Sequence, residues 1–381
     1  MAERVRKLDS IAEIAPATWD GLASPAGSAF NPLLSHAFLL ALEQSGCASA
    51  KTGWAPSHLV LEEDGTITGA VPCYLKNNSM GEYVFDHGWA DAFHRAGGSY
   101  YPKLQVSIPF SPVTGSRLLA ATPDRKRKLA TGLVTLTKAV GASSVHITFL
   151  PEEDWQLIGG SDYLQRQDIQ FHWHNNDYAS FNDFLAGLSS AKRKNIRRER
   201  RTVVDNGITF EHATADSLTT QHWDRFFAFY MDTGARKWGR PYLTRGFFTQ
   251  IHETMREHIL LVLARREGRI IAGALNFIGS DRLFGRNWGC SEDHPFLHFE
   301  TCYYQAIDFA IARGLKVVEA GAQGEHKLAR GYLPVKTFSL HHFAHKGLAR
   351  AVAEYLESER AAIDENRQEL AGHSPFRQET P

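Results

Sequence analysis

Two stretches decide how this chain is read: Leu59–Ala70, LVLEEDGTITGA, and Leu261–Ala274, LVLARREGRIIAGA. Each places a β-rich aliphatic run before a tight charged turn containing Gly, then a second β-rich run ending in Gly-Ala. Glycine is suited to such turns because it takes positive φ without steric penalty, so each stretch reads as a β-hairpin. The same hairpin is written twice. With Gly69 set against Gly273, the second copy is expected to be one residue longer in its turn.

A second echo lies downstream of each hairpin. Arg125–Phe149 runs from a basic helix start through KLATGLVTLTKAVGA into SSVHITF, and Thr301–Ala320 runs through CYYQAIDFAIARG into LKVVEA. In both, apolar residues at i, i+3 and i+4 mark an amphipathic helix that ends near Gly141 or Gly314 and feeds a short strand. The first half carries extra residues between hairpin and helix, including HGWADAFHRAGGSYYPKLQVSIPFSPVTG. This stretch is too irregular for one element and is expected to be an ordered functional loop inserted near residues 80–115. Between the halves, FNDFLAGLSSAKRKNIRRERRTVVDNG (Phe181–Gly207) gives a helix capped by Ser189 or Ser190 and ended at Asn206-Gly207. The expected division is 15–170, 175–350, and a helix with a frayed tail over 351–381. The fold class is α/β, with two tandem units of one design and mixed central sheets.

Composition narrows the function. At 381 residues the chain has length for two domains. Lys plus Arg number 42, as do Asp plus Glu, which argues against nucleic-acid binding through overall charge but leaves room for a local basic patch. Cys47, Cys73, Cys290 and Cys302 lie far apart without a Cys-x-x-Cys, which excludes a zinc ribbon or disulfide scaffold and fits a reducing compartment. The start, MAERVRKLDSIAEIAPATWDG, lacks the apolar segment of a secretory signal. The longest aliphatic run, Ile259–Ala264, falls far short of the ~20 residues that cross a bilayer. A soluble, cytoplasmic protein without a membrane span is expected.

The duplicated hairpin–helix–strand unit is similar to the GNAT acyltransferase fold, in which a splayed sheet admits a thioester or ester donor. Two such units in one chain look like the Fem-type peptidoglycan peptidyltransferases. More closely, the chain resembles their bacterial FemAB-like relatives, predicted N-acyltransferases or peptidoglycan biosynthesis/recognition proteins. The matching segments are FNPLLSHAFLLALEQSGCA, HGWADAFHRAGGSYYPKLQVSIPFSPVTGSRLL, LSSAKRKNIRRERR and GRNWGCSEDHPFLHFETCYYQAIDFAIARGLKVVEAGAQGEHKLARGYLP. The resemblance implies transfer of an aminoacyl or acyl group to an amine acceptor by direct attack, with no tightly bound cofactor. The Arg/Gln-x-x-Gly-x-Gly/Ala turn that cradles the CoA pyrophosphate in acetyl-CoA enzymes of this superfamily has no clean copy here. TPDRKRK (Thr122–Lys128) and DHPFLHFE (Asp293–Glu300) stand in its place. The donor is therefore open between acyl-CoA and aminoacyl-tRNA. A non-catalytic protein that keeps the double groove to bind a peptide or cell-wall precursor is the alternative.

Several clusters carry candidate chemistry. Lys192, Arg193, Lys194, Arg197, Arg198, Arg200 and Arg201 are opposed on their helix only by Glu199, and such like charges repel unless anions neutralise them. The phosphates of CoA or tRNA would do so; pairing with acidic loops elsewhere would also serve. His87 and Asp91 are candidate proton acceptors for an incoming ammonium, or simply pin the loop by hydrogen bonds. In GRNWGC (Gly285–Cys290), Arg286, Asn287 and Trp288 alternate across a strand beside the expected splay, where a buried arginine or asparagine needs a partner such as a substrate carboxylate. Cys290 has no histidine spaced to activate it. EAGAQGEHKLARGY (Glu319–Tyr332) resembles the Gly-rich strand end and Phe-Lys-x-Gly-Phe region of Fem-type transferases, with Lys327, Arg330 and Gly331 at the matching positions. Glu319 and Glu325 are the first candidates for the catalytic base, Gln323 contacts substrate, and Lys327 or Arg330 holds the developing oxyanion. Arg236 and Trp238, in FYMDTGARKWGR, wall the acceptor site or pack their helix. His172/His174 and His341/His342/His345 do not supply the three or four converging ligands of a metal site, and no metal is expected.

Overall fold

The computed structural model describes residues 3–160, 162–237, 241–321 and 324–377, with the side chains of 236, 237 and 325 set aside. The chain divides into two units, one of residues 1–169 and 336–365, the other of 170–335 and 366–381. The division thus differs from the expected one at its C-terminal side. The strand Leu333–Phe343 runs out of the second unit, and its Phe338–Phe343 stretch pairs antiparallel with Ser144–Leu150 of the first. The helix Lys346–Gly372 follows it.

Both hairpins form as read. His58–Glu63 pairs with Thr66–Val71, and Ile259–Arg266 with Arg269–Ile278. Their turns are of equal length. Asp64-Gly65 has φ of 48° and 81°, and Glu267-Gly268 has 50° and 73°, so both residues of each turn take the left-handed conformation of a two-residue hairpin loop. In each copy the register shifts two pairs beyond the turn, between Leu61 and Glu62 and between Ala264 and Arg265. The extra residue expected in the second turn is therefore not there. Matched turn to turn, Gly69 corresponds to Ala272 rather than Gly273.

The helix–strand echoes agree residue for residue. Pro123–Ala139 leads to Ser144–Leu150, and Gln305–Ala312 to Val317–Glu319. Gly141 and Gly314 both have φ of 65°. The amide after each reaches back to close the turn, Ala142 N to Thr137 O and Leu315 N to Ala310 O, each at 2.9 or 2.8 Å. This is the glycine-terminated helix end that only a residue without Cβ adopts without strain.

In the first unit, Trp54–Pro56, Cys73–Lys76, Lys103–Val106, Ser144–Leu150 and Leu333–Phe343 lie side by side in that order. One face packs Leu104, Val106, Val145, Ile147 and Leu340 against Leu129, Leu133 and Leu136 of the helix Pro123–Ala139. The alternate residues, Lys103, Gln105, Ser107, Ser144, His146, Thr148, Ser339 and His341, are polar and equally buried. Lys103–Val106 runs parallel to Ser144–Leu150, joined only over Leu104–Val106 and Val145–Ile147. Beyond this contact the fully buried Arg117 fills the space. Its guanidinium donates to Thr148 O at 3.0 Å, Gly115 O at 2.9 Å and Val113 O at 2.6 Å.

The region near 80–115 was expected to be an irregular loop, yet it contains the helix His87–Arg95 and the strand Lys103–Val106. Trp89 and Phe93, one turn apart, give the helix an apolar side that packs with Phe343, Leu348 and Val352.

In the second unit the order is Ile208–Thr214, Ile259–Arg266, Arg269–Ile278, Arg282–Cys290, Val317–Glu319, then the end of Leu164–His174. Arg282–Cys290 and Val317–Glu319 are parallel over Arg282–Phe284 only. Among the described residues, no helix is long and apolar enough to cross a membrane.

Replacing Arg117 by Met should lower the stability of the first unit by on the order of 3 kcal/mol or more, because buried carbonyls lose their donors together. Urea unfolding measures this directly.

Candidate functional site

In the second unit the parallel pair separates after Phe284 and Glu319. A Cβ on Gly285 would lie 3.2 Å from the Glu319 carbonyl oxygen, so glycine permits the close approach at the point of parting. Glu319 ends its strand buried, with Oε1 accepting from Arg282 Nη1 at 3.0 Å. Its Oε2 lies 3.9 Å from His172 Nε2. Burial pushes His172 down to about 3, so this neighbour is a neutral imidazole at pH 7.

Past Glu319 the chain turns through Gly321 and Gly324, both at positive φ, into the short helix Glu325–Arg330. Lys327 is 2% exposed. Its Nζ donates to Gly321 O at 3.1 Å, and no carboxylate pairs with it among the described residues. Burial pushes its ammonium down to about 8, because desolvation penalises the charged form.

Arg330 is engaged from several sides. Its guanidinium carbon stands 3.4 Å from the centroid of Phe299. Nη2 donates to both oxygens of Glu199 at 2.9 and 3.0 Å, and Nη1 to His326 O at 2.7 Å. Tyr304 OH also donates to Glu199. The expected substrate contact at Arg330 is thus used internally, and the residue holds the short helix against the basic one. Phe299 and Tyr304 lie on a helix made of Leu297–Phe299, the wide turn Glu300–Tyr304 and Gln305–Ala312. Trp288, half-buried, sits 5.0 Å from His298, and Phe299 5.7 Å from His326. Tyr303 OH is 3.0 Å from His326 Nε2. Together these rings form a partly exposed aromatic shelf beside Lys327.

The basic helix runs Ser190–Asp205 and ends at Gly207, φ 71°. Ile196, Glu199 and Val203 face inward. Arg200 Nη2 donates to Asp308 at 2.6 Å, and Nε lies 3.2 Å from both oxygens of Glu300. Lys192, Arg193, Lys194, Arg197, Arg198 and Arg201 have no ion-pair partner among the described residues, and Lys194, Arg197, Arg198 and Arg201 are exposed. Cations in the first turns also oppose the positive end of the helix dipole. The structure therefore keeps six of the seven charges uncompensated.

The other expected residues fall as follows. Arg286 stands on Arg282–Cys290, where the register with Arg269–Ile278 shifts. The side chains of Arg236 and Glu325, together with Trp238 and Gln323, lie outside the described residues. His87 and Asp91 are exposed on their helix, whose buried residue is Trp89. His172, His174, His341 and His342 are strand residues, and His345 follows the end of its strand; His146 Nδ1 lies 2.7 Å from His341 Nδ1, and among the described residues no three His, Cys, Asp or Glu gather for a metal.

Sequence reasoning missed Arg282 and Tyr304 in this unit, and it missed the burial of Glu199 against Arg330. In the first unit it missed a buried polar group of Lys76, Glu82, Asp86, Tyr100, Lys103, His146 and His341. The spacing Ile196-x-x-Glu199-x-x-x-Val203 was the available signal for Glu199, since it places a glutamate on the apolar face of a helix.

A family model described as peptidoglycan biosynthesis/recognition matches residues 10–378. The chain belongs to the FemAB-like family. Among solved structures, this FemAB-like protein is similar to FemX at 12% identity and TM-score 0.55, over 91% of this chain and 100% of that one. A conserved protein of unknown function from Bacteroides thetaiotaomicron matches at 10% identity and TM-score 0.51, over 89% and 100%. A tandem GNAT protein from the clavulanic acid biosynthesis pathway matches at 10% identity and TM-score 0.48, over 90% and 99%. At such identities the likeness to FemX and to the Bacteroides protein is one of fold, that of a mixed α/β chain. No curated protein matches the sequence.

Charge reversal at Arg197 and Arg198 should change stability by no more than about 0.5 kcal/mol, as expected for surface residues without partners. Arg200→Ala should cost about 2 kcal/mol, because buried Glu300 loses its cation. Thermal unfolding of the two variants checks the contrast.

Proposed function

We propose that this FemAB-like protein transfers an aminoacyl or acyl group from an activated donor to an amine, in peptidoglycan or related cell-envelope metabolism, with the chemistry in the second unit. The observation that carries the reading is Lys327, a nearly inaccessible ammonium whose described partner is one backbone carbonyl, placed just past the parting of two parallel strands. A carbonyl under attack by an amine develops negative charge on oxygen, and a preorganised cation in a dry site stabilises that charge strongly. Lys327 supplies it. The donor carbonyl enters where the strands part, the amine attacks directly, and the alcohol or thiol of the donor leaves with a proton. Glu319 is the first candidate to take a proton from the incoming ammonium, which then attacks as the free amine; Arg282 holds its carboxylate in place, and Glu325 is the second candidate.

Two features favour a nucleotide-bearing donor. The six cations of Ser190–Asp205 that have no ion-pair partner among the described residues suit a phosphodiester or polyphosphate chain. The shelf of Trp288, His298 and His326 offers π faces on which a base stacks. In an aminoacyl ester of a terminal adenosine the base lies one ribose from the reacting carbonyl, whereas in acyl-CoA the whole pantetheine arm intervenes. A shelf adjoining Lys327 therefore favours aminoacyl-tRNA.

The test is incubation with aminoacyl-tRNA or acyl-CoA and an amine acceptor, following release of tRNA or thiol. Release that depends on both substrates supports the proposal; consumption of neither donor overturns it. Lys327→Met should then lose about 10²–10³ in kcat, as loss of an oxyanion donor does.

The pH profile has a definite sign. Because the ammonium is the working form and its folded value is lowered to about 8, kcat should fall as pH rises through 8. A rise across the same range would assign Lys327 the role of base instead. Reversing Arg197 and Arg198 should weaken donor binding and flatten its dependence on salt, read by titration at several ionic strengths.

A further inference from the structure

Glu199 is the one carboxylate between Lys192 and Arg201. It faces inward with Ile196 and Val203, whereas Lys194, Arg197, Arg198 and Arg201 face solvent. Both of its oxygens accept from Arg330 Nη2, at 2.9 and 3.0 Å, and Tyr304 OH donates to it as well. Arg330 Nη1 in turn donates to His326 O at 2.7 Å. That carbonyl belongs to the peptide bond whose nitrogen is Lys327 N, and Lys327 N donates to Gly324 O at 3.0 Å. The peptide leading into Lys327 is therefore held at both ends, and one of the two holds runs through a rigid, planar guanidinium to Glu199.

The short helix Glu325–Arg330 has too few residues to persist by its own hydrogen bonds. Its place depends on what it is tied to. Arg330 ties it to the basic helix through Glu199, and to Leu297–Phe299 through the ring of Phe299. Stability alone does not call for such a link, since apolar side chains of similar volume commonly serve as well as a buried ion pair. What the link adds is a fixed separation between two groups of cations, those on the outside of Ser190–Asp205 and Lys327.

We infer that Glu199 is a positioning residue for the transfer: through Arg330 it fixes Lys327 to the helix whose outer cations take the donor's phosphates. The inference rests on the acyl-transfer reading. A donor gripped by its phosphates presents its carbonyl at one place, and the oxyanion cation has to be there, because a misplacement of about 1 Å can cost on the order of 10² in rate.

Two variants cut the link. Glu199→Gln leaves Arg330 buried without a counter-charge, and the double variant Glu199→Met with Arg330→Met removes both charges, an exchange that is often neutral for stability. In both, kcat should fall at least about tenfold while the donor KM stays within about twofold, because the outer cations are untouched. NMR of the protein with lysine labelled at Cε, Lys327 being assigned by its absence in Lys327→Met, reads the link without turnover. With the tie cut, water reaches Lys327, and its titration midpoint should rise from about 8 toward the ordinary value of about 10.4. Arg200→Ala breaks another inner ion pair of the same helix and should leave that midpoint where it is. A midpoint unmoved in both Glu199 variants, an equal move in Arg200→Ala, or a kcat within about twofold of the parent in both Glu199 variants overturns the inference. If the parent consumes neither donor, the transfer reading fails, and the titration still decides whether Glu199 holds Lys327.

Discussion

Each unit is organised by a parallel strand pair that holds for three residues and then parts. A β-ladder satisfies backbone groups only while it lasts, so parting leaves carbonyls and amides that need other partners. The first unit meets the need from within, by threading the guanidinium of Arg117 among the carbonyls of Val113, Gly115 and Thr148. The second places Gly285 at the fork and brings Lys327 to the carbonyl of Gly321. The two units share a frame but fill its opening differently. That difference is why the chemistry is assigned to the second.

Around the second opening, charge is arranged in two layers. The inner layer is compensated: Glu199 with Arg330, Glu300 with Arg200, Glu319 with Arg282. The outer layer, on the exposed side of Ser190–Asp205, is not. Buried charges must be paired because desolvation otherwise outweighs their interactions. Exposed ones face no such demand and stay available to an incoming anion. Lys327 departs from this pattern, being buried without a carboxylate among the described residues, and its lowered proton affinity is the physical sign of that exception.

The frame was legible in the sequence because its signals are local. Turn residues at Asp64-Gly65 and Glu267-Gly268, and glycines after two amphipathic helices, act within a few residues of themselves. The equal length of the turns was not legible, since the Gly-Ala pairs that suggested the alignment follow a register shift that only pairing reveals. The return of the chain to the first unit at Lys336 was missed for a similar reason: strand composition does not name the strand that pairs. The pairing of Glu199 with Arg330 joins residues 131 positions apart. The buried polar face of the first unit escaped notice because alternation such as Lys103-x-Gln105-x-Ser107 reads as a half-solvated strand. Its burial comes from tertiary packing, not from the strand.

The passage of the chain from first unit to second and back sets an order of events during synthesis. Ser144–Leu150 leaves the ribosome early, but its partner Phe338–Phe343 emerges only after nearly all of the second unit. At about 5–20 residues per second this is a wait on the order of 10–40 seconds. Throughout it, one edge of a strand with an apolar face lacks its neighbour, the condition under which strands pair with the wrong partners. The second unit has meanwhile been made whole except for its C-terminal segment. The half that starts first therefore finishes late, and its completion reports that the half carrying Lys327 has already been made.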